Sequence, residues 1–256
     1  MMLNKTEAAL VASRLRCAEV AGRQIDAVSL AHPDADVGDA YSIQAASMRL
    51  RVQGGDPVRG YKVGLTGSKL QVAYGMCEPI FGYLHASAFG LPQLIEPLLE
   101  TELAFVLGGR LHADAVTIGD VLAATESVLP AFEIIDSRVH ARPMTGVDLV
   151  SDNGAAAQAV LSPRSARRSD LDIANLAVEL RQNGKMIQSG SSARVLGHPA
   201  MAVAWLAVAL ARQGLELRPG DVVLSGTCTT PVPYSRSSSY EADFGPLGRV
   251  RLDGPS

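Results

Sequence analysis

The chain has 256 residues, 47% of them hydrophobic and 19% charged, enough to bury a core in one large domain or a main domain with a helical extension. A formal charge of −3 gives no electrostatic case for nucleic acid, and the one dense basic run, "PRSARRS" at 163–169, reads as a solvated loop. Three scattered cysteines (Cys17, Cys77, Cys228) exclude a disulfide framework and suit a reducing cytoplasm, and no apolar run approaches the roughly 20 residues of a membrane helix, so no membrane partner is expected.

In chain order, Asn4 caps a predicted helix with Glu7 three residues on, and Ala9, Leu10, Ala12 and Leu15 recur at helical spacing. A second helix is predicted from about Asp39 to Val52, stopping at Gly54-Gly55. The sequence then becomes strand-like, which divides it into an N-terminal helical segment, 1–55, and a main domain, 56–256. "GYKVGLTGSK", from Gly60 to Lys69, has the glycines, lysines and hydroxyls of a phosphate loop but not their order, because Ser68 precedes Lys69. "EPLLETELAFVLGG" reads as a strand bounded by proline and glycine. Thr117 to Leu129 reads as a helix with Thr117 as cap and Asp120 three residues later. "LAVELRQNGKMIQSG" is a hairpin turning at Asn183-Gly184, and "GHPAMAVAWLAVALARQG" a buried helix between Pro199 and Gly214. "DVVLSG" and "GRVRLD" close the chain as short strands. Without regular β-α-β alternation, the expected class is α+β.

The informative stretch is Glu100-Thr101-Glu102. On a strand, Glu100, Glu102, Ala104 and Val106 share one face, and Leu99, Thr101, Leu103, Phe105 and Leu107 form a core face on the other. A third acid, Glu133, stands between Phe132 and Ile134 in "LPAFEIIDSR". Bare carboxylates in apolar runs are expensive and repel one another. Two readings follow: Glu100 and Glu102 begin an edge strand and touch water, or the three acids hold a hard divalent cation, Mg²⁺ or Mn²⁺.

The runs "GYKVGLTGSKLQ", "EPLLETELAFVL", "LPAFEIIDSR", "SDNGAAAQAVL", "GHPAMAVAWLA", "GDVVLSGTCTTPVP" and "DFGPLGRVRL", in order from about Asp39 to Leu252, resemble the 2-keto-4-pentenoate hydratase group. That group includes 2-oxo-hept-3-ene-dioate hydratases and 4-oxalocrotonate decarboxylases, within the fumarylacetoacetate hydrolase superfamily. The resemblance implies a layered mixed β-structure with peripheral helices and a homo-oligomer, with a pathway enzyme as a further partner. It implies metal ligands at Glu100, Glu102 and Glu133 and an active-site lysine at Lys62. Beside these, Ser225 and Thr229 in "LSGTCTTP" are candidates to hydrogen-bond the substrate carboxylate, although such hydroxyls more often cap local backbone; Leu65 is a further substrate-binding candidate, and Arg138 could anchor a remote carboxylate or equally pair with Asp136.

The chemistry that the resemblance implies starts from a 2-oxo acid whose carboxylate and keto oxygens chelate a divalent Lewis acid. A hydratase adds water at C4 of the ketonised dienol, and a decarboxylase uses the same electron sink for the pair released by CO₂. Lys62, buried beside a cation, would have a lowered pKa suited to shuttling protons. Where hydratases of the group often carry an acid, "EPIFG" has Ile80, as decarboxylases can. The ending "TTPVPYSRSSSYEADFGPLG" looks more like hydratases of diacids. A non-catalytic partner of an active paralogue is the alternative from another class, which loss of Lys62 or a glutamate would favour; all four residues are present. Among the histidines, His198 reads as a helix-start residue and His85 could line the pocket; Asp152-Asn153 could hold a loop or support the site.

Overall fold

The computed structural model describes residues 3–112, 114–141, 143–163, 166–167 and 172–254. The chain opens with helix α1 (Lys5–Ala21), strand β1 (Ile25–Asp26), α2 (Val28–Ala31) and α3 (Val37–Gln53). Next come β2 (Val58–Gly64), α4 (Ser68–Ala73), β3 (Ile80–His85), β4 (Leu98–Leu107), α5 (Ile118–Ala124) and β5 (Thr125–Ile135). They are followed by β6 (Val139–His140), α6 (Gly146–Ser151), β7 (Ala156–Leu161) and β8 (Ala166–Arg167). The last elements are β9 (Ala177–Gln182), β10 (Lys185–Ser191), α7 (Pro199–Ala211), β11 (Val222–Thr227), β12 (Val232–Pro233), β13 (Tyr240–Asp243) and β14 (Arg249–Leu252).

The helix starts follow from local chemistry. Asn4 accepts from Thr6 and Glu7 N–H groups, and Glu7 reaches back, a complete capping box. Asp36 with Asp39 does the same for α3, two residues earlier than the sequence suggests. His198 caps α7 by accepting from Ala200 N–H, with Pro199 in the first turn. Asn183 and Gly184, at φ 50° and 79°, make the hairpin turn between β9 and β10.

Two expectations need correction. The helix predicted from Thr117 to Leu129 ends at Ala124, and Thr125–Leu129 open β5 instead. Val128 enters the main core and β5 pairs with β4 along ten positions from Leu98↔Ile135 to Leu107↔Thr125, so pairing overrides a helical pattern one turn too long. The stretch Ser192–Ala211 is long and apolar enough to cross a membrane by length and composition. Its helical core, α7, packs on α5 and β11 and gives Ala200, Val203, Leu206 and Leu210 to the interior, as a core helix does. Of the basic run at 163–169, Ala166–Arg167 pair with β5, and 164–165 and 168–169 lie outside the described residues.

A large sheet runs in the order β3-β2-β11-β4-β5-β7, with β8 and β12 attached, and a four-stranded sheet runs β10-β9-β13-β14. The outer face of the large sheet carries Tyr61, Val63, Phe81, Leu103, Phe105, Phe132 and Ile134, packed with α7 and the second sheet. Each such fully buried side chain contributes about 1.5–3 kcal/mol. Its inner face is lined by small and aliphatic residues, Leu84, Ala104, Ala131, Ala156, Ala159 and Leu224. Residues from β3 and β7, the two ends of the sheet order, meet in this inner cluster, so the sheet is curled almost into a barrel.

The gap between β3 and β7 is bridged by Asn153. Its side chain accepts from Tyr83 N–H at 2.8 Å and donates to Tyr83 O at 2.9 Å, as a neighbouring strand would. The predicted 55/56 boundary falls at the turn between α3 and β2. The helical segment before it is tied on by Gln44, which donates to Phe81 O and Val150 O, and by Tyr41 stacked on Phe81 at 4.9 Å.

Closure at this seam requires glycine at position 82, where a β-carbon would lie 2.3 Å from Asn153 O. Gly82→Ala is expected to destabilise the protein by about 1–3 kcal/mol in urea denaturation, because the seam must spread to admit it. An unchanged midpoint would show that the seam carries no strain.

Candidate metal centre

β4 is a central strand, flanked by β11 and β5, so its acids do not sit on an edge. Strand alternation turns Glu100 and Glu102 to the inner face, and Glu100 pairs directly with Glu133 of β5. Glu102 and Glu133 are fully buried, and one carboxylate oxygen from each of the three acids lies within 4.8 Å of the others. Lys62 projects from the same face of β2, and its Nζ stands 3.3 Å from Glu133 Oε2. The edge-strand reading is excluded by this placement.

Two fully buried carboxylates and the half-buried Glu100 therefore face the Lys62 ammonium. Burial, then the charge of Glu133, raises the Glu100 pKa to about 7, with Lys62 pulling the other way. Burial and the charges of Glu133 and Glu100 push Glu102 well above the carboxylate range, although Gly226 N–H donates to its Oε2 at 2.8 Å. Burial also raises Glu133, against the pull of Lys62.

Burial alone would drive Lys62 towards the neutral amine, but Glu133, Glu100 and Glu102 together outweigh it and hold the pKa above the ordinary lysine value. The lowering expected from the sequence thus does not hold for the protein by itself. It requires a cation that offsets the three carboxylates.

Glu102 Oε1 and Glu133 Oε1 are buried with no hydrogen-bond partner, and Glu133 Oε2 meets the Lys62 ammonium, at 3.3 Å. Such orphaned anionic oxygens are rare in a finished interior. An all-oxygen, multiply charged set fits a hard divalent cation such as Mg²⁺ or Mn²⁺. Beyond Glu100 and Glu133, the next residues on the inner face, Leu98 and Ile135, line a cavity of about 220 Å³ with Tyr74, Met144, Leu149 and Ala155. A wider depression of about 490 Å³ around Leu91–Leu94, Tyr234 and Arg236 holds none of these acids.

The other residues singled out from the sequence separate clearly. Ser225 is fully buried, beside the bulge between Leu224 and Thr227, and its hydroxyl has no partner. Thr229 is corrected: its hydroxyl pairs at 2.9 Å with Thr101, on the core face opposite the acids, which leaves it no access to a ligand there. Arg138 is corrected too. Its Nε donates to Asp152 Oδ1 at 2.7 Å, and its two terminal nitrogens donate to the Asp136, Ala156 and Asp152 carbonyls. A guanidinium so engaged cannot anchor a substrate carboxylate, and its ion partner is Asp152; the Asp136 carboxylate accepts instead from Ile95 and Glu96 N–H. His85 Nδ1 lies 2.9 Å from Asp56 O, and burial lowers its pKa.

Leu65 has φ 53°, a left-handed backbone costing a non-glycine residue about 1–2 kcal/mol. Its side chain packs with Ala40, Met76, Ile80 and Val150, so only its backbone is placed to meet a ligand. Two features that the sequence only hinted at frame the lysine. Ile80 is fully buried, and a β-carbon at Gly64 would lie 3.2 Å from its Cγ1 and 3.4 Å from Lys62 Nζ. Asn153, Gly154 and Ala155 are consecutive residues with positive φ that cover Lys62. The dipeptide Asn153-Gly154 was the available signal for a positive-φ turn.

Residues 87–252 match the model of the fumarylacetoacetate hydrolase C-terminal family. This chain belongs to the fumarylacetoacetate hydrolase family. Within that family it is 37% identical to a 2-keto-4-pentenoate hydratase of Burkholderia vietnamiensis, with 98% of each chain covered. It is 36% identical to a 2-oxo-hept-4-ene-1,7-dioate hydratase of Escherichia coli, over 97% of this chain and 98% of the other. The 4-oxalocrotonate decarboxylase of Pseudomonas putida G7, solved with magnesium and adipate, superposes with TM-score 0.93 at 29% identity over 98% of both chains. The family match confirms the α+β, fumarylacetoacetate-hydrolase-like fold expected from the sequence.

The raised carboxyl pKa values fix the sign of a pH effect. Glu100 titrates near 7 when folded, against an ordinary value of 4.5, so its proton is held more tightly by the folded state. The associated stability is full below the ordinary value and is lost as pH rises towards 7. The metal-free protein is therefore expected to melt at a lower temperature at about pH 8 than at about pH 5, and Mg²⁺ to raise the melting temperature more at the higher pH. Glu102→Gln should raise the metal-free melting temperature at about pH 8 and erase the Mg²⁺ shift. Calorimetric scans check this, and a melting temperature that climbs over that range would contradict the charge arrangement.

Proposed function

We propose that this protein is a divalent-metal-dependent hydratase that converts 2-hydroxy-2,4-dienoates, through the 2-oxo-3-enoate tautomer, to 4-hydroxy-2-oxo acids. The observation that carries the reading is the inner-face cluster of Glu100, Glu102 and Glu133, with orphaned oxygens and Lys62 beside them. The two hydratases at 36–37% identity support it. Glu100, Glu102 and Glu133 would hold the ion, with Mg²⁺ or Mn²⁺ suited to that donor set. When bound, the ion supplies a Lewis acid for a 2-oxo acid, whose carboxylate and keto oxygens form a chelating pair.

The chain's own groups do the rest. The reaction takes a proton from the 2-hydroxyl and delivers one to carbon. It then adds hydroxyl at C4 and a proton at C3. Lys62 is the nearby group able to hold and move a proton, at Nζ. The aliphatic inner face beyond the acids keeps bulk water from the reacting carbons. Ser225 Oγ and the Leu65 backbone are assigned to the substrate carboxylate.

The reading extends to a cytoplasmic homo-oligomer working in aromatic-compound breakdown, with a pathway enzyme as partner. Three cysteines without disulfides suit a reducing compartment, and Leu91, Val72 and Leu30, 82%, 79% and 71% exposed, are apolar surface that a second copy would cover.

A decarboxylase of the oxalocrotonate type is the second reading, favoured by Ile80. Where a carboxylate beside Lys62 would orient water, the chain presents a methyl-lined surface.

With Mg²⁺, the protein is expected to consume 2-hydroxypenta-2,4-dienoate without CO₂ release, followed by loss of ultraviolet absorbance and by gas measurement. Lys62→Met should lower kcat about 10²–10⁴-fold while Mg²⁺ binding persists. CO₂ evolved from oxalocrotonate, with no hydration of the dienoate, would replace the first reading by the second. Turnover undiminished by excess chelator would defeat both.

A further inference from the structure

We propose that Arg138, Asp152 and Asn153 are positioning residues for Lys62, acting through the left-handed turn Asn153–Gly154–Ala155 that roofs the lysine side chain. The inference rests on the reading of Lys62 as proton carrier.

Three successive residues in this turn have φ of 56°, 64° and 58°, and two of them bear a β-carbon. Such backbone persists only where the surroundings over-determine it. Here they do. Asn153 is fixed by its paired bonds to Tyr83 N–H and O. Arg138 brackets the turn: Nη2 donates to Asp152 O before it at 2.7 Å, and Nη1 to Ala156 O after it at 3.0 Å. The Asp152 carboxylate accepts from Arg138 Nε at 2.7 Å, Arg138 N–H at 2.8 Å and Ser137 Oγ at 3.0 Å, which fixes the guanidinium plane in turn. A planar fork reaches both ends of the turn at once, and an ammonium cannot.

The turn lies directly on the lysine. A β-carbon at Gly154 would meet Lys62 Cδ at 3.4 Å and Cε at 3.7 Å. On the other side, a β-carbon at Gly82 would meet Lys62 Cγ at 3.3 Å. The four-carbon stem, flexible in solution, therefore runs in a slot between Gly82 and Gly154 that delivers Nζ to 3.3 Å from Glu133. A turn that served only to close the sheet would not need to touch this stem. If the turn relaxes, the ladders from β3 through β2, β11, β4 and β5 to β7 still hold the sheet together while the amine loses its aim.

The test uses the full-length protein. Asn153→Ala, checked for folding by circular dichroism, is expected to lower kcat about 10- to 100-fold with KM and Mg²⁺ affinity unchanged. In the metal-free protein, acylation of Lys62 by acetic anhydride, read by mass spectrometry, should become severalfold faster as the stem is freed. Arg138→Lys, which keeps the charge and loses the fork, should act in the same direction. Asn153→Asp keeps the acceptor for Tyr83 N–H and loses the donor; it should show smaller shifts of the same sign, and it carries the test if Asn153→Ala does not fold. Folded variants with wild-type kcat and wild-type Lys62 acylation, or with a loss confined to KM, would overturn the proposal. A wild-type protein inert towards dienoates and oxalocrotonate would remove the hydratase reading on which the proposal rests, whereas faster acylation of the variants would still show that the turn holds the lysine.

Discussion

The mutual repulsion of three carboxylates in an apolar interior is the constraint around which the molecule is arranged. Glu102 and Glu133 are fully buried, Glu100 faces Glu133 across a strand pair, and among the described residues Lys62 is the cation paired with them. An interior of this kind is disfavoured by several kcal/mol per uncompensated charge, and hydrophobic packing would serve stability better. Orphaned oxygens on Glu102 and Glu133 show that the protein's own donors do not complete the cluster. A divalent cation satisfies oxygens and charge together.

The rest of the fold places this cluster. The outer face of the large sheet supplies the stabilising core, with Phe81, Phe105 and Phe132 buried. The inner face is kept small, with Ala104, Ala131, Ala156 and Ala159, which leaves room beside the acids. The bulge at Leu224–Thr227 turns Gly226 N–H towards Glu102, and φ 114° there, with Thr66 pressed against it, suits glycine. The seam at Asn153 closes the sheet and covers Lys62 with the same few residues.

Much of this was legible in the sequence, for specific reasons. Strand periodicity alone put Glu100 and Glu102 on one face against a core face, because β4 is long and regularly alternating. Capping residues marked the starts of α1 and α5, and Asn183-Gly184 marked the hairpin. The switch from α5 to β5 at Thr125 was hidden because pairing with β4, a distant partner, decides it. Thr229 and Arg138 were misplaced for the same kind of reason. A hydroxyl or guanidinium advertises its chemistry in the sequence, but Thr101 lies 128 residues from Thr229, and Asp152 lies beyond β6 and α6 from Arg138, so neither partner is adjacent in sequence. The lysine's raised pKa in the metal-free protein depends on three acids at long sequence distance, and the lowering expected beside a cation requires that cation to offset them.

The most direct test of the central claim is anomalous diffraction from crystals grown with Mn²⁺. A single strong peak bounded by the Glu100, Glu102 and Glu133 carboxylates, absent in Glu133→Gln crystals, is the result expected. Difference density showing these side chains protonated and bonded only to one another, with manganese elsewhere or nowhere, would contradict it.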